Sequence, residues 1–411
     1  MNKKIKILFD ASVLNNIFNN NSSRSGIFWT AFNLLKSLSQ IQNVNLYLYS
    51  DNFDKTKRFI NYVKDDIFNI KPFDGDIKEM DVVFSPYKKI HNSIRNSGIP
   101  CYTLLHDCIP LILPQYFGEY TKGWFCELFN SLNSQDYYFS NSEYTKKDFL
   151  RLCSQLNEKQ IITIPLATNL SYKPNKNLTD EIREKYNIPT DKKYLFSLCS
   201  LEPRKNLIRV VRTFIQFIEK NKIDDLVFVL GGGAWGGFIE KLEKEVSDYQ
   251  KYKDKIIRAG YVADEDLEVL YSNAEWFVYT SQYEGFGMPP LEAMSCGTAV
   301  ITSNNSSLPE VVGDAGQTID WDSDEQHIEA YEKYYFDKSY RDTMAKKGLC
   351  RSKLFSWDDA TKIMVEQFKK MHINKKRKSF ILANLFNTHK KQVLSIYIFG
   401  IPLLKINQNI K

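Results

Sequence analysis

Residues 283–297 read YEGFGMPPLEAMSCG, and the rest of the chain can be interpreted outward from this stretch. The apolar run Trp276–Tyr279 before it predicts a buried strand, and the prolines followed by Leu291–Cys296 predict a short helix that ends at a glycine. Gly285 and Gly287 lie in the loop between them, where a backbone without side chains can approach a ligand closely. Because the N–H groups and the dipole of a helix N-terminus favour negative charge, the stretch predicts a pocket for an anionic ligand.

Two glutamates stand at the two ends of this predicted pocket. Glu284 lies on the loop, and Glu292, eight positions later, is predicted in the first helical turn. Carboxylates accept hydrogen bonds from neighbouring hydroxyls, such as those of a ribose or a hexose. A pocket with phosphate donors in its middle and hydroxyl acceptors at both ends suits a sugar nucleotide. On the residues alone, a strand-to-helix turn with two surface glutamates stays open as an alternative.

A resemblance to a known family favours the sugar-nucleotide interpretation. The letters EGFGMPPLEAMSCG (284–297) resemble the E-x(7)-E signature of the retaining, nucleotide-sugar-dependent glycosyltransferases that have the two-domain GT-B fold. The flanking segments AGYVADEDLEVLYSNAEWFVYTS (259–281) and TAVITSNNSSLPEVVGDAG (298–316) are similar to that family as well. The resemblance covers roughly residues 4–370.

The resemblance implies a role for each residue of the central stretch. Glu284 is expected to hold the donor hexose, and Glu292 to accept from the ribose hydroxyls. The loop of Gly285, Phe286 and Gly287 is expected to meet the donor phosphates through its backbone N–H groups.

Strand and helix patterns alternate through both halves of the chain, which predicts an α/β fold of doubly wound parallel sheets. With 411 residues the chain exceeds the usual size of one hydrophobic core. The resemblance implies the GT-B arrangement, in which two Rossmann-like domains face each other across a cleft and a C-terminal helix crosses back to the first. We predict an acceptor-side domain over residues 1–172, a nucleotide-sugar-binding domain over 173–358, and the crossover helix with a basic, apolar tail over 359–411.

A second motif, SLEPRKNL at 200–207, resembles the P-R-K-N element of the same family. At a strand-to-helix turn, Arg204 can give paired hydrogen bonds and Lys205 a compact positive charge to a diphosphate. Two solvated basic residues before a helix are the alternative. Cys199 stands where the family usually has glycine, a departure that bears on how closely the backbone approaches the phosphates.

In the first half, His106 follows the predicted strand Cys101–Leu105, at the end of the sheet that faces the ligand crevice in open α/β folds. The letters HDCIP (106–110) resemble the family's His-Asp-x-x-Pro segment, which implies that His106 lies beside the donor sugar; Asp107 is expected to fix the loop or orient the histidine. A structural histidine is the alternative. Gly26 enters a predicted helix, and the resemblance implies contact with the donor phosphates, with a simple helix cap as the alternative.

Two further turns are assigned to the nucleotide. A glycine run begins with Gly231 and Gly232 after the predicted strand Leu226–Leu230, and the resemblance marks it as part of the nucleotide rim. The run lacks the dinucleotide-binding fingerprint with its following acidic residue, so alone it does not indicate a nucleotide. Tyr261 lies in a turn at 260–262 that is expected to line the base pocket.

Composition limits the possible partners and locations. The formal net charge of +6 fits anionic ligands, and neither half carries a nucleic-acid reader motif, so no nucleic-acid partner is expected. Seven scattered cysteines without a C-x-x-C pair favour reduced thiols in the cytoplasm. The first apolar run is too short for a signal peptide, and no run reaches the roughly 20 apolar residues of a spanning helix.

The last segment, 369–411, contains no acidic residue and alternates basic with apolar groups. This pattern predicts peripheral contact with an anionic membrane, at the inner face of the cytoplasmic membrane. Packing on the first domain and binding of a partner stay open as alternatives.

The resemblance also implies a reaction. A hexose would move from a nucleoside diphosphate sugar to a glycan or lipid-linked acceptor with retained configuration, in surface polysaccharide or lipopolysaccharide synthesis, and GDP-mannose is the donor favoured by analogy. No Asp-x-Asp stands in a fitting position and no His/Cys cluster has ligand spacing, so we expect neither a metal nor a cofactor. Two alternatives stay open: a non-catalytic sugar-nucleotide or glycan-binding protein, and a sugar-nucleotide epimerase.

Overall fold

The computed structural model describes residues 4–19, 26–169, 171–233, 237–246, 248–371, 393–398 and 401–407. Two parallel sheets organise them. The strands of the first sheet are β1 (Ile5–Asp10), β2 (Val44–Tyr49), β3 (Ile70–Pro72), β4 (Val82–Ser85), β5 (Cys101–Leu105), β6 (Tyr137–Ser140) and β7 (Ile161–Thr163). The strands of the second sheet are β8 (Lys193–Leu198), β9 (Leu226–Gly231), β10 (Ile256–Gly260), β11 (Phe277–Tyr279), β12 (Val300–Ser303) and β13 (Gln317–Ile319).

Helices connect these strands in both halves. They are α1 (Gly26–Gln40), α2 (Phe53–Val63), α3 (Asn92–Arg95), α4 (Ile109–Ile112), α5 (Glu119–Asn130), α6 (Glu143–Leu152), α7 (Asp180–Lys185), α8 (Leu207–Asn221), α9 (Phe238–Glu245), α10 (Tyr249–Tyr252), α11 (Asp264–Asn273), α12 (Met288–Ser295), α13 (Leu308–Val312), α14 (Asp324–Phe336) and α15 (Lys338–Ser352). Residues 357–371 form a further helix, α16.

The strand order locates the ligand crevice in each half. The first sheet runs β3-β2-β1-β4-β5-β6-β7, the second runs β10-β9-β8-β11-β12-β13, and neighbouring strands in both are parallel. The order therefore reverses beside β1 in the first sheet and beside β8 in the second. Ligands of open α/β sheets bind outside the carboxyl ends of the strands at such a reversal. The chain beyond Asp10 and beyond Leu198 is thus where ligand contacts are expected.

Helix α16 crosses from the second half back to the first. Its Phe368 ring packs among Tyr102, Phe139 and Phe84, with ring centroids 4.8, 5.7 and 6.2 Å away, respectively. Near its start, the Trp357 ring N–H donates to the Thr168 carbonyl oxygen at 2.9 Å. The predicted α/β architecture with two Rossmann-like sheets and a crossover helix is confirmed. The domain limits at 172 and 358 stay predictions.

One predicted helix has different limits in the structure. Helix α12 begins at Met288 and ends at Ser295, whereas the sequence predicts Leu291–Cys296. Pro289 and Pro290 are its second and third residues, where the fixed φ of proline suits the helix and a missing N–H breaks no intrahelical bond. Glu292 consequently lies in the second turn, and the prediction that it lies in the first is wrong.

The tail contains a β-hairpin. Strands β14 (Val393–Ile398) and β15 (Ile401–Asn407) pair antiparallel, separate from the two large sheets. Most of the segment 372–411 lies outside the described residues, so its contact with a membrane surface stays a prediction. None of the helices that the structure describes combines the length and the apolar character needed to cross a bilayer.

Candidate functional site

The motif at 200–207 leaves β8 at the strand-order reversal of the second sheet. Pro203–Lys205 form one 3-10 turn, and Asn206 follows with a φ of 61°, so the chain turns sharply before α8. The turn directs the side chains of Arg204 and Lys205 towards the loop that carries Glu284, which follows the neighbouring strand β11.

Three donor groups meet at one oxygen of Glu284. Oε1 accepts from Lys205 Nζ at 2.6 Å and from the Tyr279 hydroxyl at 2.9 Å, and it lies 3.0 Å from Arg204 Nη1. Lys205 Nζ also donates to the Tyr279 hydroxyl at 2.8 Å. Glu284 is only 9% exposed. The two motifs predicted from the sequence therefore meet in one buried ionic cluster.

A second carboxylate balances Arg204. Nη2 of Arg204 donates to Glu202 Oε1 at 3.0 Å, and Nη1 of Arg204 donates to the backbone oxygen of Tyr283. Two cations and two carboxylates leave the cluster with no net formal charge. The buried Nε of Arg204 has no hydrogen-bond partner among the residues that the structure describes. Leaving such an N–H unpaired costs free energy, which an anionic ligand could recover by accepting from it.

The charges of the cluster set the ionisation of Glu284. Burial raises the pKa of this carboxyl, but the charges of Arg204 and Lys205 outweigh burial and lower the pKa from 4.5 to about 2. The folded pKa thus lies below the unfolded value. The ionised Glu284 therefore stabilises the folded state fully above pH 4.5, and this contribution is lost as the pH falls towards 2.

Two serines hold the loop that carries Glu284. Ser306 Oγ accepts from the Glu284 N–H at 3.0 Å, and Ser307 Oγ lies 2.9 Å from the Glu284 carbonyl oxygen and 2.6 Å from that of Phe286. Gly287 has a φ of 131°, and a Cβ there would lie 2.8 Å from the Leu308 side chain. Glycine is therefore required at 287 by both conformation and space.

Gly285 is one point of close contact between the two halves. A Cβ at this position would lie 2.0 Å from the His106 carbonyl oxygen and 2.8 Å from the Asp107 Cβ. The Gly285 carbonyl oxygen accepts from the hydroxyls of Ser142 at 2.8 Å and Thr145 at 3.0 Å. The loop of the second half is thus seated against the carboxyl edge of the first sheet, and only glycine fits there.

A carboxylate from the second half also meets the N-terminus of α6. Glu310 accepts from the backbone N–H of Glu143 at 2.9 Å and of Tyr144 at 2.6 Å, and a negative charge at this end of a helix suits its dipole. The Tyr283 hydroxyl donates to Asp148 on the same helix. These bonds add a second interface between the halves beside the Gly285 contact.

His106 lies where the two halves meet. Its Nε2 is 2.7 Å from the Pro86 carbonyl oxygen; because a carbonyl only accepts, we assign the hydrogen to Nε2, which leaves Nδ1 as an acceptor. Burial lowers the pKa of His106 below its ordinary value, against the opposing effects of the Pro86 bond and the Asp107 charge, so the ring is neutral at pH 7. Asp107 Oδ1 accepts from the Ile109 N–H at 2.9 Å and so fixes the loop.

Glu292 occupies a different environment from Glu284. Its Oε2 accepts from the Tyr271 hydroxyl at 2.8 Å. Burial raises the pKa of Glu292 to about 7; the Tyr271 bond lowers it and the charge of Asp264 raises it. Asp264 begins α11, directly after the turn that contains Tyr261, so Glu292 lies towards the predicted base pocket.

The N-terminus of α12 offers fewer donors than the sequence suggests. Pro289 and Pro290 have no N–H, so Met288 alone supplies one within the first three helical positions. Backbone donors to an anion at this place must therefore come from the segment 285–288.

The glycine run that begins at the last residue of β9 is required by packing. A Cβ on Gly232, whose φ is 129°, would lie 1.7 Å from the Cys199 carbonyl oxygen, and a Cβ on Gly231 would lie 2.8 Å from Leu198. The Gly232 N–H donates to the Gly260 carbonyl oxygen at 2.7 Å. The glycines thus let the chain segments after β8, β9 and β10 converge.

Three other predicted residues differ in their surroundings. Tyr261 is 48% exposed, so its ring lies at the protein surface. Phe286 is buried, and its ring packs against Phe355 with centroids 5.9 Å apart, so the prediction of a donor contact can concern only its backbone. Gly26 begins α1, and a Cβ there would meet nothing within 4 Å, so the fold does not require glycine at this position.

Three residues that the sequence did not single out contact the predicted ones. Glu202 stands two positions before Arg204, and this short spacing within one turn could have indicated the ion pair between them. Tyr279 and Tyr271 reach Glu284 and Glu292 from other elements, and no local pattern indicates these bonds. Within the described ranges, no three His, Cys, Asp or Glu side chains are grouped so that they could hold a metal ion.

Comparison with known proteins identifies relatives of this chain. Residues 179–349 match the family model "Glycosyl transferases group 1". The O-antigen chain mannosyltransferase B of Escherichia coli is 32% identical over 270 residues, which are 65% of this chain and 69% of that protein. The serotype-specific mannosyltransferase WbdA of the same species is 25% identical over 288 residues, and this match spans only 35% of its length.

Solved structures share the fold. The crystal structure of Anabaena HepE in complex with UDP and glucose has a TM-score of 0.66 at 15% identity, over 89% of this chain and 100% of that one. WaaG, a glycosyltransferase involved in lipopolysaccharide biosynthesis, has a TM-score of 0.62 at 14% identity, over 88% of this chain and 99% of that one.

Proposed function

The chain belongs to the group 1 glycosyltransferases, and we propose that it transfers a hexose from a nucleoside diphosphate sugar to a hydroxyl of a glycan or lipid-linked acceptor. GDP-mannose is the proposed donor and surface polysaccharide synthesis the proposed setting, because the relative with 32% identity is named an O-antigen chain mannosyltransferase and WbdA is named a serotype-specific mannosyltransferase. The observation that carries the proposal is the cluster of Arg204, Lys205 and Glu284, with its unpaired guanidinium N–H.

Arg204 and Lys205 would stabilise the leaving diphosphate. As the bond from the sugar to the phosphate breaks, the sugar becomes oxocarbenium-like and negative charge grows on the phosphate. Lys205 has three N–H groups, of which Glu284 and Tyr279 use two, and Arg204 keeps its Nε–H. These donors are held before the ligand arrives, which is the condition for effective electrostatic stabilisation.

The two glutamates and the histidine would bind sugar hydroxyls. Three donors occupy Oε1 of Glu284, so Oε2 is the oxygen proposed to accept from the hexose. Glu292 would accept from the ribose, and Nδ1 of His106 from a further hydroxyl of the transferred sugar. We propose retention of configuration, with a phosphate oxygen of the leaving group taking the proton of the acceptor hydroxyl. We also propose that the remaining N–H donors of Arg204 and Lys205 meet the negative charge that grows on the phosphate, so that transfer needs no metal.

A thermal-shift panel tests the proposal. UDP, GDP, CDP, dTDP and ADP are compared with and without EDTA, and GDP at 100 times its Kd is expected to add about 2.7 kcal/mol of stability. Transfer from GDP-mannose is then followed by GDP release and by the mass of the product. Stabilisation by none of the five would overturn the proposal, whereas selective stabilisation by another nucleotide would replace the donor. Loss of the effect in EDTA would contradict the metal-free part.

Because the pKa of Glu292 is about 7, we expect the affinity for GDP to depend on pH. If Glu292 accepts from the ribose, GDP affinity should increase by up to about tenfold as the pH rises from 6 to 8, because the carboxylate form accepts two hydroxyls. Titration calorimetry across this range measures the effect. In Glu292→Gln the dependence should disappear, and an unchanged slope in that variant would remove Glu292 from the ribose site.

A further inference from the structure

Three buried side chains at the start of α6 connect the two halves. Asn141, Ser142 and Thr145 lie where β6 passes into α6, and we name them the α6 clamp. Asn141 Nδ2 donates to the His106 carbonyl oxygen at 2.9 Å, and the Ser142 hydroxyl donates to the Gly285 carbonyl oxygen at 2.8 Å. The Thr145 hydroxyl lies 3.2 Å from the first oxygen and 3.0 Å from the second. The α6 clamp therefore holds one backbone carbonyl group of each half.

The two carbonyl groups belong to segments in direct contact. A Cβ at Gly285 would lie 2.0 Å from the His106 carbonyl oxygen, so the loop 283–287 packs on the His106 backbone. Carbonyl oxygens only accept, so they cannot bond to each other and need donors from a third segment. The Thr145 hydroxyl has one hydrogen and reaches both oxygens, so it links the loop to the end of β5 that carries His106.

Helix capping accounts for Ser142 but not for Thr145. Ser142 is the N-cap of α6, and its Oγ accepts from the Thr145 N–H at 3.0 Å. A threonine hydroxyl within a helix can bond to the carbonyl four residues earlier, as Thr213 of α8 does with Arg209 at 2.9 Å. The Thr145 hydroxyl instead donates to two segments outside its own helix.

The stability of the fold does not account for Asn141 either. Its Oδ1 is buried and has no hydrogen-bond partner among the described residues, and a buried acceptor without a donor costs free energy. Because the His106 carbonyl oxygen only accepts, we assign the nitrogen of the amide to the side that faces it. The bond to His106 is therefore what Asn141 contributes at this position.

We propose that Asn141 and Thr145 are positioning residues for sugar transfer, which hold the His106 ring and the Glu284 carboxylate in a fixed relative position around the hexose; this inference rests on the proposed function. The α6 clamp binds the carbonyl of His106 itself and that of Gly285, the residue directly after Glu284. Both proposed sugar contacts are thus within one residue of a carbonyl that the α6 clamp holds.

The α6 clamp should affect the rate of transfer and not the affinity for the nucleotide. The proposed nucleotide contacts, Arg204, Lys205 and Glu292, all lie in the second half, so they keep their mutual geometry when a bond to the first half is removed. The proposed sugar contacts come from both halves, so their relative position depends on the α6 clamp. A displacement of about an ångström is enough to lower a catalytic rate by about 100-fold.

Substitutions that keep the shape of each side chain test the proposal. Thr145→Val exchanges the hydroxyl for a methyl group and should lower kcat about tenfold or more, with the KM for the sugar nucleotide nearly unchanged. Thr145→Ser retains a hydroxyl and should restore most of the wild-type kcat. Asn141→Leu, which lacks the N–H groups, should show the same loss as Thr145→Val, and a wild-type kcat in this variant would remove Asn141 from the proposal.

The matched control is Thr213→Val. Thr213 is as buried as Thr145, but its hydroxyl donates within α8, so this variant should lose stability in urea unfolding while kcat stays at the wild-type value. The same loss of kcat in Thr213→Val and in Thr145→Val would show that destabilisation alone lowers transfer, and it would overturn the positioning role.

A double-mutant cycle tests whether Thr145 acts through His106. Thr145→Val should lower kcat less in the His106→Ala background than in the wild type, because the ring that the α6 clamp positions is then absent. Losses of equal size in both backgrounds, or a wild-type kcat in Thr145→Val, would overturn the positioning role alone. The thermal shift caused by GDP should be retained in every variant. Absence of a shift with all five nucleotides in the wild type would instead overturn the proposed function and this inference with it.

Discussion

Replacing Glu284 by glutamine is expected to lower the rate of sugar transfer by about 10²–10³-fold, the range seen when one preorganised electrostatic group is removed from an active site. Glutamine keeps the size of the side chain but removes the charge that Arg204 and Lys205 both face. The cluster would then hold two buried cations and a single carboxylate, that of Glu202, which pairs with Arg204. The positions of Arg204 and Lys205 would change, and the proposed hydrogen bond to the hexose would weaken.

The same substitution should destabilise the fold. The lowered pKa of Glu284 corresponds to about 3 kcal/mol, at about 1.4 kcal/mol per pKa unit, and removal of one partner from a buried ion pair costs about 3–5 kcal/mol. Urea unfolding measures this loss, and kcat measured at saturating donor isolates the effect on transfer. Glu325→Gln, at an exposed glutamate of α14, is the matched control and should change neither quantity appreciably. A transfer rate within threefold of wild type in Glu284→Gln would contradict the proposed role.

Gly285→Ala is expected to reduce transfer by at least about 100-fold, because misplacement of groups by an ångström can have that effect. The added methyl carbon would lie 2.0 Å from the His106 carbonyl oxygen, well inside contact distance, so either the loop or the first half must move. The bonds from Ser142 and Thr145 to the Gly285 carbonyl oxygen would lengthen with that movement. Overpacking of this kind destabilises by about 1–3 kcal/mol, so the protein should still fold.

Hydrogen exchange locates the effect of Gly285→Ala. Backbone amides around 142–145 and 283–287 should exchange faster, while those of β1 and β8 in the sheet interiors should not change. Gly75→Ala, in an exposed loop where the nearest atom to a new Cβ is 4.0 Å away, is the control for the extra methyl group. If Gly285→Ala transfers sugar as fast as this control, the close contact of the loop with His106 is not needed for the reaction.

The part of the site that lies in the second half of the chain could largely be predicted from short motifs. Arg204, Lys205 and Glu284 follow β8 and β11, which are neighbours in a parallel sheet, so residues just beyond the two strands lie at one edge. When two strands are known to be neighbours, strand–loop–helix patterns therefore indicate which side chains lie in the same pocket. The start of α12 was less predictable, because proline is compatible both with a loop and with the first turn of a helix.

Other features of the site could not be inferred from local patterns. Phe286 lies between Gly285 and Gly287, yet its ring is in the core against Phe355. Tyr279 faces Glu284 because of its place at the end of β11. Neither of these contacts has a sequence spacing that marks it.

The amino-acid sequence by itself determined the alternation of strands and helices, the glycine-bearing turns and the basic and acidic residues beside them, because hydrophobic period, turn chemistry and charge are properties of neighbours along the chain. Only the tertiary structure decided that Arg204 and Lys205 are already paired with Glu284, and that Gly285 has no room for a side chain. Pairing and space depend on the distance between segments far apart in the sequence, and that distance is set by the packing of whole sheets.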